Sequence, residues 1–410
     1  MNIALVIFLV TYLGVALGRI PGLALDRTGM ALLGAIAMIA AGVLTQPAAV
    51  AAVDMSTILL LYALMVVSAQ LRLGGFYTWA ALSMNRFMAR PARFLLIMMV
   101  LSALLSAVLA NDIVCLAFTP VLAISLLRAG LNPVPFLIGL AVSSNLGSAA
   151  TIIGNPQNML IGQVGQLHFG RFLAWCAPPS ILALAGAYGL IVLLFRGRLK
   201  QTPVAVEEDA KAWPKLDRHQ TQKGLVATAV LMVLFFTPLP RDLVALSVAG
   251  ILLCSRKTQT RTILGLVDWH LISLFIGLFV VIAGLASTGL PARALEAMRQ
   301  AGLDIQNVYV LTIVSSILSN MVSNVPATML FVKFMDPANP VPWYVLALAT
   351  TYAGNLLTIG SIANLITFEQ AKNCGIHISF REHARVGIPV TLLSLAIVMC
   401  WIWMLGAVRG

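Results

Sequence analysis

Apolar runs of membrane-spanning length recur along nearly the whole chain, interrupted at regular places by short polar clusters. From the N-terminus the pattern predicts spans at about 3–18, 28–45 and 55–71, then an amphipathic piece at 75–88. An apolar–polar–apolar segment follows at 94–128, a span broken by Gly and Asn at 134–165, and a final span at 171–195. The same succession returns at 224–239, 242–254, 269–287, 291–300, 306–335, 341–371 and 385–407. About 20 apolar residues cross a bilayer as a helix, so these runs read as spans. Residues 2–18, with no small-residue cleavage site after them, are expected to be a retained span.

The recurrence is also visible residue by residue. Shifted by 214, VDMSTILLLYALMVVSAQLRLGG (from Val53) falls on VDWHLISLFIGLFVVIAGLASTG (from Val267). Asp54 then meets Asp268, and Gly75 meets Gly289. At a shift of 213 Asn111 meets Asn324, and near 206 Gly154 and Asn158 meet Gly360 and Asn364. An ordered series of matches indicates a duplication: a first copy at 1–195, a hydrophilic linker at 196–223 and a second copy at 224–410. With the apolar–polar–apolar segment counted as a re-entrant hairpin, each copy crosses five times. An odd number inverts the second copy. The expected fold is therefore an all-α polytopic membrane protein of two inverted repeats, each with five spans, a re-entrant hairpin and a broken helix, their scaffold and transport parts interleaved.

Charge sets the orientation. Loops at 19–27, 72–93, 128, 196–223, 256–261 and 372–385 carry 20 of the 26 Lys and Arg. Five more (Arg171, Arg241, Arg293, Arg299, Arg409) fall on the other face, and Lys333 lies in a hairpin arm. By the positive-inside rule the linker is cytoplasmic and both termini periplasmic, in a bacterial inner membrane. This asymmetry accounts for the net charge of +12 without a nucleic-acid partner. Composition agrees with a lipid setting: 60% of residues are hydrophobic, and 10% are charged against about 25% in soluble domains. Five scattered Cys with no CxxC spacing indicate neither disulfides nor a metal site, and no cofactor is expected.

The polar clusters carry the chemistry. The stretch SSNLGSAATIIGNPQNMLIG (143–162) places Gly147, Gly154 and Pro156 inside an apolar span. A helix broken in the bilayer frees N–H and C=O groups that must find partners. Ser144, Asn145, Asn155, Gln157 and Asn158 can supply them, and so could a cargo. The second copy repeats the device in AGNLLTIGSIANLI (353–366), with Gly354, Asn355, Thr358, Gly360, Ser361 and Asn364. The hairpin tips add Asn111 and Asp112, and then Asn320, Ser323 and Asn324. One such cluster would commonly serve helix packing. Four of them, two per copy, are expected to form a substrate site at the membrane midplane. Asp112 is the one carboxylate at a tip, and burial would disfavour its charged form. It is the expected coupling residue for a proton, or for a cation such as sodium. Asp54 and Asp268 read as helix N-caps. Cys115, one turn beyond Asp112, is a weak candidate for a thiophilic cargo.

At these residues the chain resembles the ion transporter superfamily, in its branch of arsenite-efflux proteins, sodium–proton antiporters and bacterial anion permeases. SNLGSAATIIGNPQNMLIG and GNLLTIGSIANLI are similar to that group's two broken-helix signatures. ANDIVCLAFTP is similar to the first hairpin of arsenite permeases, and SNVPATMLF to the second hairpin of anion permeases. Dicarboxylate members typically carry Ser-Asn-Thr at both tips. Here Ala110-Asn111-Asp112 and Ser323-Asn324-Val325 stand instead, which points away from sodium-coupled dicarboxylate transport. The resemblance implies a homodimer with a scaffold and a mobile transport domain, moving by an elevator-type mechanism, and allows for a separate ATPase subunit.

The sequence thus predicts a secondary transporter. No Walker A motif is present, and the five His lie at expected helix ends or loops with no HExxH or GxSxG, so no enzyme is expected. No Arg or Lys falls at the four interruptions, which fits a small neutral hydroxylated solute. The first expectation is proton-coupled efflux of arsenite or antimonite, and the alternative a sodium- or proton-coupled permease for an inorganic anion or carboxylate.

Overall fold

The computed structural model describes residues 2–18, 22, 24–200, 213–255 and 258–409. Among the described residues, apart from isolated bridge positions such as that between Leu131 and Lys200, the regular elements are all helical. The first ten are α1 (Ile3–Leu17), α2 (Arg27–Ala40), α3 (Gln46–Ala51), α4 (Met55–Leu73), α5 (Phe76–Ser83), α6 (Pro91–Val108), α7 (Asn111–Arg128), α8 (Pro133–Ser148), α9 (Pro156–Val164) and α10 (Phe169–Leu194). Ten more follow: α11 (Arg218–Phe235), α12 (Arg241–Leu253), α13 (Thr260–Leu264), α14 (Trp269–Ala286), α15 (Leu290–Gln300), α16 (Val308–Val322), α17 (Asn324–Phe331), α18 (Pro340–Ala353), α19 (Ile362–Asn373) and α20 (Phe380–Arg409).

Six of these are long and apolar enough to cross a membrane: α4, α6, α7, α10, α14 and α20. Outward faces of these and of the shorter α1 and α12 are unsuited to water, with Leu13, Leu104, Ile181, Ile251 and Trp403 all well exposed. Hydrocarbon surroundings explain such faces, because lipid is as apolar as the side chains themselves. The chain is an all-α polytopic membrane protein.

Local chemistry at matched positions is alike in the two halves. Asp54 caps α4 by accepting from Thr57 N (2.7 Å), and Asp268 caps α14 by accepting from Leu271 N (2.9 Å). Gly75 and Gly289 both open the following helix at φ 70°, a left-handed conformation that glycine adopts without steric cost.

The helices assemble in two groups. In one, α2 packs on α14 and α4 on α12, with α1 and α11 alongside. In the other, α6 packs on α8, α16 on α18, and α10 on α20, while α7 and α19 join the halves. Hydroxyls tie α6 to α8, with Ser102 Oγ 2.6 Å from Ser143 Oγ and Ser106 Oγ 2.8 Å from Ser144 Oγ. The groups meet along α4 and α9, α14 and α17, and α1 and α16, with α5 reaching from α4 to α7.

Several boundaries differ from expectation. The short helices α3 and α13 were not anticipated, because one or two turns show no periodicity. Helix α11 begins at Arg218, six positions before the expected 224. Its polar first turn is used: Asp217 caps it, and Gln70 Nε2 donates to Gln220 Oε1 at 2.6 Å. Helix α20 likewise begins at Phe380, ahead of the expected 385, which places His383 inside it. The second hairpin's descending arm ends at Phe331, and Asp336 with Pro337 and Pro340 follows in place of a long helix. Residues 201–212 of the linker, and basic positions 19, 256 and 257, lie outside the described residues.

Candidate functional site

The two broken helices are built alike. Helix α8 stops at Ser148, and α9 restarts at Pro156 behind the N-cap Asn155, which accepts from Asn158 N at 2.9 Å. Proline at a first helical position leaves no missing donor, since that N–H has no intrahelical acceptor. The carbonyls stranded where α8 ends are met from the other side of the gap. Asn158 Nδ2 donates to Thr151 O (2.9 Å) and Ser148 O (3.3 Å). In the second half α18 stops at Ala353 and α19 restarts behind Ser361. There Asn364 Nδ2 donates to Gly354 O (2.8 Å) and Leu357 O (3.2 Å). Asn158 and Asn364 thus each hold a break together.

Each hairpin tip docks on a break. The Asn111 N–H donates to Gly154 O at 3.1 Å, and its carbonyl accepts from Ser144 Oγ at 3.2 Å. At the second tip, the Asn324 amide is oriented with its nitrogen toward three oxygens: Ser319 Oγ (2.6 Å), Gly360 O (2.8 Å) and Thr350 O (3.1 Å). That environment fixes the amide orientation, since it offers acceptors. Asn320 Nδ2 reaches Ser316 O and Ala353 O, both at 3.0 Å. Ser323, between α16 and α17, sits at φ 78°, ψ 158°, a region almost confined to glycine.

Asn145 joins the halves. Its Nδ2 donates to Asn355 Oδ1 (2.9 Å) and Asn364 Oδ1 (3.2 Å), while its Oδ1 accepts from Ser361 Oγ (2.9 Å) and Asn111 Nδ2 (3.3 Å). Beside it Asn155 and Gln157 donate to Thr351 Oγ1 at 3.3 and 3.2 Å. The amide side chains are fully withdrawn from solvent, with Asn158, Asn355 and Asn364 at 0% exposure. Several polar atoms of the breaks, the tips and α19 are left over: Asn111 Oδ1, Asn158 Oδ1, Asn320 Oδ1, Asn355 Nδ2, Thr358 Oγ1 and Thr367 Oγ1 have no hydrogen-bond partner among the described residues. Each such atom costs about 1–3 kcal/mol if left unmade. Three acceptors, a donor and two hydroxyls suit a solute that both gives and takes hydrogen bonds.

Not every expected residue faces this network. Gly147 lies where the Ala103 backbone of α6 crosses α8, so its missing side chain serves close helix contact. Gly154 makes room for the Ser148 backbone inside the turn of its own break. Asp112 diverges from its neighbour Asn111. It lines a cavity of about 90 Å³ shared with Arg72, Asp268, Pro156, Met159 and Ile366. Its carboxylate makes no hydrogen bond or ion pair among the described residues.

Two nearby residues were missed. Arg72 is distant in sequence from every interruption, yet it lines the same cavity as Asp112. His383 was placed at a helix end; it is fully buried, its ring 5.2 Å from that of Phe368 and its Nε2 beside Gly387, where the carbonyl of Asn355 also lies. Spacing along the chain carries no signal for either proximity.

A polytopic helical protein with two broken helices closing around a buried, partly unpartnered polar network has the form of a membrane transporter. Residues 4–353 match the family described as CitMHS, citrate transporter, and the chain belongs to that family, within the ion transporter superfamily. It is 33% identical over 353 residues to the inner membrane protein YbiR of Escherichia coli, covering 83% of this chain and 86% of that one. It is 29% identical over 456 residues to the silicon efflux transporter LSI3 of Oryza sativa, with 92% of each chain covered. It is 23% identical over 497 residues to the putative transporter arsB of Dictyostelium discoideum, covering 92% and 87%. The protein is a secondary transporter embedded in a membrane by many spans, and its family transports small solutes.

Proposed function

We propose that the chain exports a small neutral hydroxylated acid, arsenous or antimonous acid first, in exchange for protons. The carrying observation is the network around Asn145 and the breaks and tips that surround it, whose unpartnered oxygens, amide nitrogen and hydroxyls match a solute with several O–H groups. No charged side chain takes part in that network's hydrogen bonds. Relatives described as a silicon efflux transporter and a putative arsB transporter are in line with cargo of this kind. Asp112 would carry the coupling proton, because its cavity runs from the tip toward the ends of α4 and α14.

In this reading the two halves are inverted repeats, with the linker cytoplasmic and both termini periplasmic. The group containing α6–α10 and α16–α20 slides as an elevator against the group containing α1–α4 and α11–α14. A homodimer, argued from the superfamily likeness, would anchor the second group. One observation favours another cargo. Arg72 in the wall of the Asp112 cavity, together with the family's description as citrate transporters, supports a permease for a carboxylate or inorganic anion.

Everted vesicles holding the verified protein, given arsenite with and without an imposed proton gradient, separate the two. Gradient-dependent accumulation that is lost in Asp112→Asn supports the first reading, and uptake by the chain alone would make a separate ATPase subunit unnecessary. No arsenite uptake, with sulfate or citrate accumulating in its place, moves the assignment to the anion permease. Gradient-driven uptake unchanged in Asp112→Asn removes that residue from the coupling role.

A further inference from the structure

A second polar cavity, of about 470 Å³, lies between the two helix groups where α9 ends and α10 and α12 begin. Helix α9 is 9 residues long, so at about 1.5 Å per residue this cavity stands roughly 13 Å from the break at Asn155. Its wall combines Gln163, His168, Arg241 and Asp242 with Phe169 and Phe235.

What distinguishes this cavity from the central network is the sign of its unmet hydrogen bonds. Arg241 donates from Nη1 to Leu167 O and from Nη2 to Gly162 O (2.6 Å) and Gln163 Oε1 (3.2 Å). Carbonyls at the end of α9 are therefore already met, and the Gln163 amide is oriented with its nitrogen free. Gln163 is 6% exposed, and its Nε2 has no partner; Arg241 Nε has none either. His168 accepts at Nδ1 from Gly170 N (3.1 Å) and Arg171 N (3.4 Å). An imidazole that accepts at Nδ1 carries its proton at Nε2, so the ring is a third donor. Helix α12 opens at Pro240 with no side-chain cap, which adds free backbone N–H groups at a positive helix end. One carboxylate, Asp242, opposes this set.

We propose that this cavity is a second solute site, binding the oxygens of a small oxyanion outside the central network. The proposal stands on donors that lack acceptors, and it holds whichever cargo the central network carries. Such a site would hold an anion between the two helix groups, since Gln163 and His168 belong to one and Arg241 to the other. Either a free oxyanion or the phosphate of a lipid headgroup offers that chemistry.

The test uses the full chain in phosphatidylcholine nanodiscs, titrated calorimetrically with inorganic phosphate. One saturable site is expected. Gln163→Leu should weaken it by about tenfold or more, the loss of one hydrogen bond to a charged group. His168→Asn, which keeps a capping oxygen for α10 while removing the imidazole donor, should weaken it as well. Thermal unfolding of both variants confirms that they are folded. Adding phosphatidylglycerol separates the sources: a lowered apparent phosphate affinity names the headgroup as occupant, an unchanged one names the free ion, and both support the site. Folded protein that binds no phosphate, or binding that both variants leave unaltered, overturns the proposal.

Discussion

At the scale of single residues, Asn145 has the most to lose. Its amide meets four side chains, three of them from the opposite broken helix, and all are buried. Alanine there leaves several amide and hydroxyl atoms unpaired in a dry centre. The expected cost is on the order of 3 kcal/mol, with transport lost even in the fraction that folds. Thermal unfolding in detergent together with vesicle flux measures both effects. Serine at 323 presents the opposite case. A non-glycine residue at φ 78°, ψ 158° stores about 1–3 kcal/mol of strain. Ser323→Gly should therefore raise the unfolding temperature. If the strained tip holds Asn324 ready for cargo, the same variant should slow transport. A gain in stability with undiminished flux would show that the strain has no functional use.

At the scale of elements, the broken helices depend on one asparagine each. Asn158→Leu and Asn364→Leu should each destabilise the protein by roughly 2 kcal/mol or more, since two or more carbonyls lose their donor at once. Hydrogen exchange should rise at 149–155 in the first variant and at 354–361 in the second. An increase spread evenly over the chain would mean that the breaks are held by something else. These breaks were legible in the sequence because Gly and Asn cluster inside an apolar run in both copies, where a single cluster would commonly serve packing. The spans were legible because apolar length is what a bilayer selects. The shorter α17 was not, because Val325 to Phe331 reads as apolar helix, and its end depends on where the Asp336–Pro337 turn falls. Gly147 was legible as a special position, but its neighbour was not. Only packing reveals that the Ala103 backbone lies against it. Arg72 and His383 stayed hidden because lateral proximity between helices leaves no mark on spacing.

At the scale of the whole molecule, the two groups of helices touch along few seams, and those seams must break or slide if one group moves. Tyr12 in α1 donates its hydroxyl to Pro326 O in α17 at 3.1 Å, one contact that bridges the groups. Cysteines at these two positions could be joined by a short bifunctional thiol reagent in a background freed of the five native cysteines, of which Cys254 and Cys400 are exposed. If the groups slide past one another during transport, cross-linking should stop flux and leave cargo binding at the central network intact. Flux should return when a cleavable linker is cut. A cross-linked protein that still transports at its full rate would mean that this seam stays closed throughout the cycle. The elevator would then have to give way to local gating, with the hairpin tips opening over a fixed centre. The mechanical question is therefore decided where the groups meet, because the Asn145 network would look the same under either motion.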